Sequence, residues 1–284
     1  MQTKNIFADW GTEFTDMSDI FDQDTRELRK LLYNRKMIVL HAPEWDKLTY
    51  WKFCALWGQP WTNKNYHDST EKWEVVSDPD NPTEPKFITA ISNKISVRLG
   101  DKEMPWHADI ANRVDGGIQF PHRSIYMKTV PNPMAGYTYW LDMELAYPEI
   151  HPQLRARWEK RTVVQQNWHN PGHDLIEWPS MKQHPVTKRW SPRCNYHGIA
   201  DSWILDTKDS DGNSMGTGIV EELMEAMAEV PNCTYEQRWE PNDIVLYDNW
   251  PFVHRRTAPN LKEGQERLMW RANVDHDISL ASSF

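Results

Sequence analysis

The chain of 284 residues carries 41 acidic side chains against 32 lysines and arginines, a net charge of −9. An acidic protein repels phosphate backbones and anionic membrane surfaces, so neither nucleic acid nor a membrane is expected as a partner. The three cysteines are far apart, which predicts a protein without disulfides. No apolar signal segment opens the chain, and no stretch approaches the roughly 20 apolar residues of a membrane span. Together these features predict a cytoplasmic protein.

The N-terminal third predicts a helix, a strand and a second helix. Leu28, Leu31 and Leu32 recur at helical spacing after Asp24, which is typical of a helix start. Apolar residues 37–40 predict a buried strand. A second helix follows and ends before Gly58.

The rest of the chain is rich in strands. Short runs of β-forming residues, separated by Pro and Gly, predict strands at 73–76, 87–91, 95–98, 125–130, 137–141, 234–239, 244–247 and 267–274. Residues 166–216 are expected to form long loop insertions, and a helix is expected between Thr217 and Pro231. This pattern favours a mostly β fold with flanking helices, a jelly roll, in one domain spanning residues 1–284.

A His-x-Asp pattern at His107 and Asp109 is a candidate metal site. On extended backbone the two side chains point to the same face and can approach one ion, and Pro105 favours extended backbone. A non-haem iron site needs two histidines and one carboxylate. The alternative to a metal site is a surface turn in which the histidine is merely hydrogen-bonded.

Two later stretches complete the pattern. His254 follows an apolar strand, and a jelly roll can bring that strand beside the first one. Thirteen residues later, Arg267 and Arg271 share one face of a strand by period 2, and the planar guanidinium suits the carboxylate of a keto-acid co-substrate. Arg255 and Arg256, next to His254, are interpreted as surface charges.

The residues in this order resemble the taurine dioxygenase and chlorophenoxyacetate dioxygenase family. The stretches that carry the resemblance are 106–109, 136–140, 184–187, 239–243, Asp248, His254, Arg267 and Arg271. The resemblance implies a double-stranded β-helix that binds Fe(II) through His107, Asp109 and His254. It implies that Thr138 and Arg267 hold the distal carboxylate of 2-oxoglutarate, with Arg271 nearby. The implied reaction uses O2, converts 2-oxoglutarate to succinate and CO2, and hydroxylates a C–H bond of a small molecule.

The alternatives are a desaturase or cyclase of the same family, a zinc enzyme on the same barrel, or a non-catalytic relative. Departures from the family at 60–66 and at Glu103 argue against taurine as the substrate. Arg271 and Glu103 together would suit a small zwitterion. In the competing interpretation, Glu103 is solvated on a loop and Arg271 pairs internally or with 2-oxoglutarate. A homo-oligomer is compatible with the sequence.

Overall fold

Two β-sheets that pack face to face form the body of the protein. The computed structural model describes residues 2–60, 72–81, 86–94, 103–108, 122–131, 136–166, 175–194 and 204–284. The strands are β1 (Gln2–Asn5), β2 (Thr12–Asp16), β3 (Met37–His41), β4 (Lys72–Val76), β5 (Lys86–Ser92), β6 (Met104–His107), β7 (His122–Thr129), β8 (Thr138–Asp142), β9 (Thr162–Gln166), β10 (Leu175–Pro179), β11 (Met181–Gln183), β12 (Trp190–Pro192), β13 (Ile204–Lys208), β14 (Thr234–Gln237), β15 (Asp243–Asp248), β16 (Phe252–Arg256) and β17 (Leu268–Val274). The helices are α1 (Thr25–Arg35), α2 (Lys47–Ala55), α3 (Met143–Glu149), α4 (Pro152–Glu159) and α5 (Gly218–Ala228).

The strand order is that of a jelly roll. Within the described residues, the larger sheet runs β1-β2-β3-β15-β7-β17-β5-β4 and the smaller sheet runs β14-β8-β16-β6. Neighbours in both sheets are antiparallel, except that β2 runs parallel to β3. Strands distant in sequence are therefore adjacent in space, as the jelly-roll prediction requires.

Alternation along the strands divides the core into an inner and an outer layer. Side chains of one parity, such as Val245, Met269 and Trp140, meet between the two sheets. Side chains of the other parity on the larger sheet, such as Leu246 and Trp270, pack against α1 and α2. The outer face of the smaller sheet is covered by α3, α4 and α5. Because successive strand residues point to opposite faces, the parity of a residue decides which layer it enters.

The predicted helices are confirmed, with local reasons for their ends. Asp24 caps α1 by accepting a hydrogen bond from the Arg26 backbone N–H, and Lys36 ends it in the left-handed conformation. The predicted helix after Thr217 is α5. Of the described residues, no helix is long and apolar enough to cross a membrane.

The prediction of irregular loops across 166–216 is wrong for much of that stretch. The described part contains β10, β11, β12 and β13, and β9 pairs with both β10 and β13 in a separate sheet. These strands are short and carry polar residues, so their apolar pattern is weak. The predicted strand at 95–98 lies outside the described residues.

Candidate metal and co-substrate site

Two of the predicted metal ligands face each other on neighbouring strands. His254 lies in the middle of β16, directly opposite His107 at the end of β6. Their ring centroids are 4.2 Å apart, and the residues are 7% and 3% exposed. Directly opposite residues of an antiparallel pair share a face, so both imidazoles are available to one ion.

The surroundings of the two rings fix their orientation. The Nδ1 of His107 lies 2.7 Å from the carbonyl oxygen of Pro105, which can only accept, so Nδ1 carries the proton and Nε2 keeps its lone pair. The ring of His254 stacks on Trp140, with centroids 6.2 Å apart and planes 25° apart, and meets Tyr247 edge-on. Trp140 and Tyr247 both belong to the core between the sheets, which places His254 in the inner layer.

The predicted carboxylate ligand, Asp109, lies outside the described residues. It follows His107 by two positions in the sequence, and Ala108 between them is buried against the smaller sheet. The two described histidines fit a non-haem Fe(II) centre, because neutral imidazoles on one face are the nitrogen ligands that such a centre uses.

The hydroxyl of Thr138 and the guanidinium of Arg267 lie near one end of β8. Thr138 in β8 is directly opposite Arg256 in β16, and its Oγ1 accepts a hydrogen bond from Trp239 Nε1 at 2.9 Å. The Arg267 side chain lies beside Gly136, two residues before Thr138. Its Nε is 3.6 Å from the position that a Cβ would take at this glycine. The structure therefore brings the Arg267 side chain to the Thr138 end of β8.

Arg267 is buried among cations. Among the described residues no carboxylate pairs with its side chain, and burial, followed by the positive charge of Arg256, lowers its pKa to about 9. A carboxylate ligand would offset this unfavourable burial.

The interpretation of Arg256 as a surface charge is wrong. Arg256 is 6% exposed rather than on the surface, because it is two residues from His254 on the same face of β16. Its neighbour Arg255 is half-buried and lies over the rings of Trp106 and Tyr139. Arg271 shares its parity with Met269, which packs between the sheets, so it enters the inner layer. The period of two from His254 was the signal that could have found Arg256.

Glu103, the predicted anionic partner for substrate, precedes β6 and is exposed. It has the same parity as His107, but it lies outside the strand. The buried charged residues described near His107 and His254 are therefore the arginines, namely Arg256, Arg267 and Arg271.

Comparison with known proteins places the chain in a family. The profile of the taurine catabolism dioxygenase TauD, TfdA family matches residues 2–273. An (S)-phenoxypropionate/alpha-ketoglutarate-dioxygenase from Sphingobium herbicidovorans is 25% identical over 205 residues, which cover 65% of this chain and 67% of that protein.

Solved structures share the fold. A taurine dioxygenase from Burkholderia xenovorans superposes with a TM-score of 0.66 at 19% identity, covering 97% of this chain and 91% of that chain. AAD-2 in complex with Mn(II) and N-oxalylglycine superposes with a TM-score of 0.65 at 16% identity, covering 96% of each chain.

A jelly roll with two histidines facing each other in its interior is compatible with an oxygenase of the non-haem iron class. The chain belongs to the TauD/TfdA family. It is an Fe(II)- and 2-oxoglutarate-dependent dioxygenase, an oxidoreductase that uses O2 to hydroxylate a small molecule.

Proposed function

We propose that His107, Asp109 and His254 hold the Fe(II), and that Arg267 and Thr138 hold the distal carboxylate of 2-oxoglutarate. The observation that carries this proposal is the pair of facing imidazoles on β6 and β16, with ring centroids 4.2 Å apart. Strand β16 also carries Arg256, which lies opposite Thr138. When bound, the iron supplies O2 activation coupled to decarboxylation of 2-oxoglutarate to succinate and CO2.

Each protein group has a defined task in this proposal. His107 keeps Nε2 available as a ligand because its Nδ1 proton is held by Pro105. Thr138 accepts from Trp239 and therefore directs its own proton elsewhere, toward the carboxylate. Arg267 supplies the charge that a buried carboxylate requires. Trp140 and Tyr247 pack around His254 and exclude water from that side of the centre.

We further propose that the primary substrate carries an anionic group that Arg271 binds. Arg271 and Arg256 enter the inner layer with Arg267, so this interior favours anions over neutral or purely cationic molecules. The named activity of the relative from Sphingobium herbicidovorans, on a phenoxypropionate, is of this chemical class. A small zwitterion is the narrower proposal, in which Glu103 meets the cationic group of the substrate.

A substrate panel tests these proposals. Succinate formation that depends on added compound is measured for aryloxy acids, sulfonates, amino acids, betaines and neutral terpenoids. Coupling to anionic or zwitterionic compounds supports the role of Arg271, and loss of coupling with E103Q for zwitterions alone supports the narrower proposal. Coupling only to neutral compounds would contradict both substrate proposals and leave the iron ligands unaffected.

A further inference from the structure

A group of histidines and an aspartate lies on the opposite side of the larger sheet from the candidate iron site. His122 stands directly opposite Asp248 of β15 on one side and Val274 of β17 on the other. Val274 packs in the outer layer against the helices, whereas Trp140, opposite His254, packs between the sheets. Because cross-strand partners share a face, His122 and Asp248 belong to the outer layer, away from His254.

Three side chains of this group converge. His122, Asp248 and His276 each offer a ligand atom, and these atoms all lie within 4.8 Å of one another. The residues are 0%, 0% and 7% exposed, respectively, and the two imidazole rings meet edge to face with centroids 4.5 Å apart. A small movement would bring all three to a common ion, since metal–ligand bonds in such sites are about 2.0–2.2 Å.

The His122 ring is the unusual member. Among the described residues, none forms a hydrogen bond with either of its ring nitrogens, although the residue is fully buried. Buried polar groups normally have partners, and a metal ion would provide one for either nitrogen.

Asp248 is held in place by groups outside the three. The Nδ1 of His184 accepts hydrogen bonds from the backbone N–H groups of Val186 and Thr187, so its Nε2 carries the proton and donates to Asp248 Oδ2 at 2.8 Å. The backbone N–H of Trp250 donates to Asp248 Oδ1 at 3.0 Å. Oδ1 lies 3.9 Å from His122 Nδ1, and a carboxylate oxygen can accept more than one bond. Metal-binding carboxylates are commonly oriented by hydrogen bonds of this kind.

We propose that His122, Asp248 and His276 bind a divalent cation of the zinc type, in a second metal site separate from the oxygenase centre. Two imidazoles and one carboxylate form a ligand set that suits Zn²⁺. The ion would connect β7, β15 and the segment after β17. Tyr33 of α1 covers the site, with its ring 5.0 Å from His122 and its hydroxyl accepting from the Asp277 N–H at 2.8 Å. The role is structural, because the site is closed.

Metal content of a variant that lacks the iron ligands gives the test. H107A/H254A is produced in zinc-supplemented medium, so that the closed site can fill during folding, and is dialysed against EDTA before elemental analysis. One zinc per chain is expected. Adding H276Q should reduce zinc to none, whereas adding H41A should change nothing. His41 is the matched control, an exposed histidine 2.9 Å from a carboxylate of Asp243.

X-ray absorption at the zinc edge of H107A/H254A identifies the ligands without altering the site. Two imidazoles and an oxygen ligand are expected. Absence of zinc from H107A/H254A, loss of zinc on adding H41A, or a spectrum without imidazole would each overturn the proposal. Since the iron ligands are missing from this variant, these failures leave the proposed oxygenase centre untouched. Conversely, a wild-type protein whose only metal survives H107A/H254A would contradict the iron assignment and not this one.

Discussion

At the scale of single residues, the Thr138 hydroxyl has its direction set by a residue outside the candidate site. Trp239 Nε1 has only a proton to give, and it donates to Thr138 Oγ1 at 2.9 Å. The threonine proton must therefore point to another acceptor, and we propose that this acceptor is the distal carboxylate of 2-oxoglutarate.

Replacing Trp239 with Phe should weaken 2-oxoglutarate binding by about two- to tenfold, because one hydrogen bond contributes about 0.5–1.5 kcal/mol. Iron affinity should stay the same. The measurement is the KM for 2-oxoglutarate in W239F, T138A and the double variant. If Trp239 acts through Thr138, W239F adds little in the T138A background, and full additivity would contradict this route.

Replacing Arg267 with Ala should raise the KM for 2-oxoglutarate about ten- to a hundredfold. The reason is the loss of a charge-assisted hydrogen bond, which contributes about 1.5–3 kcal/mol. R238A is the control, since Arg238 is an exposed arginine whose Nε donates to Glu236. An unchanged KM in R267A would remove Arg267 from the co-substrate site.

Lys182 makes stability depend on pH in a predictable direction. Burial, with the nearby Arg193 adding to it, lowers the pKa of Lys182 to about 7. Between about pH 7 and the ordinary lysine pKa of about 10.4, the unfolded chain binds a proton that the folded chain does not, so this lysine destabilises the fold progressively as pH falls toward 7.

The variant K182M removes this titration. Its stabilisation relative to wild type should be greatest at pH 6.5 and should decrease by about 2–3 kcal/mol by pH 9.5, since one pKa unit corresponds to about 1.4 kcal/mol. Urea unfolding of both proteins at the two pH values measures the difference. A difference that does not vary with pH would show that the lysine keeps its ordinary pKa.

At the scale of elements, the end of α1 is joined to the smaller sheet by a buried ion pair. Lys36 ends the helix in the left-handed conformation at φ 62°. Its Nζ lies 2.7 Å from Asp142 Oδ2 and 2.9 Å from Glu144 Oε2, and all three side chains are less than 5% exposed. Asp142 also caps α3 by accepting from the Glu144 and Leu145 N–H groups. One cation therefore connects α1, β8 and α3.

Replacing Lys36 with Met should destabilise the protein by about 3–5 kcal/mol, because Asp142 loses the cation that pairs with it inside the protein, while Glu144 is left with Arg189. The control is K30M, since Lys30 pairs with Glu27 on the surface of α1 and such pairs contribute about 0–1 kcal/mol. Chemical denaturation of both variants gives the comparison. Equal stability of K36M and K30M would contradict the role given to the buried pair.

Elements with strong periodicity were predictable from the sequence, and elements fixed by tertiary contacts were not. The leucines of α1 and the β-branched run of β15 carry their own signals. Helix α3 contains Pro148 and spans seven residues, so its cap by Asp142 does more to define it than its pattern does. The strands β10 to β13 are only three to five residues long and mix polar with apolar residues.

The facing of His107 and His254 was predictable, because it needed only an extended first segment and antiparallel pairing. The roles of Asp109 and Arg267 stay predictions. The partners that orient the site residues were harder to predict. The Trp239 bond to Thr138 joins residues 101 positions apart, and nothing local marks it. The structure places Arg256 in the interior because residues 252–256 form strand β16, whereas the sequence predicted no strand between 244–247 and 267–274.

At the scale of the whole molecule, the larger sheet lies between the candidate iron site and the proposed second metal site. Its inner face, with the smaller sheet, encloses facing histidines and buried arginines. Its outer face carries α1, α2 and the cluster of His122, Asp248 and His276. This separation predicts that variants of the outer cluster change metal content and stability while the oxygenase centre keeps its own ligands.

The most direct test of the central claim is the visible charge-transfer absorption that 2-oxoglutarate gives when it chelates protein-bound Fe(II) without oxygen. Anaerobic titration of wild type should produce this band at one equivalent of iron per oxygenase centre. H107A and H254A should lose it, and H41A, at an exposed histidine, should keep it. An undiminished band in H254A, or none in wild type, would contradict the assignment of His107 and His254 as iron ligands.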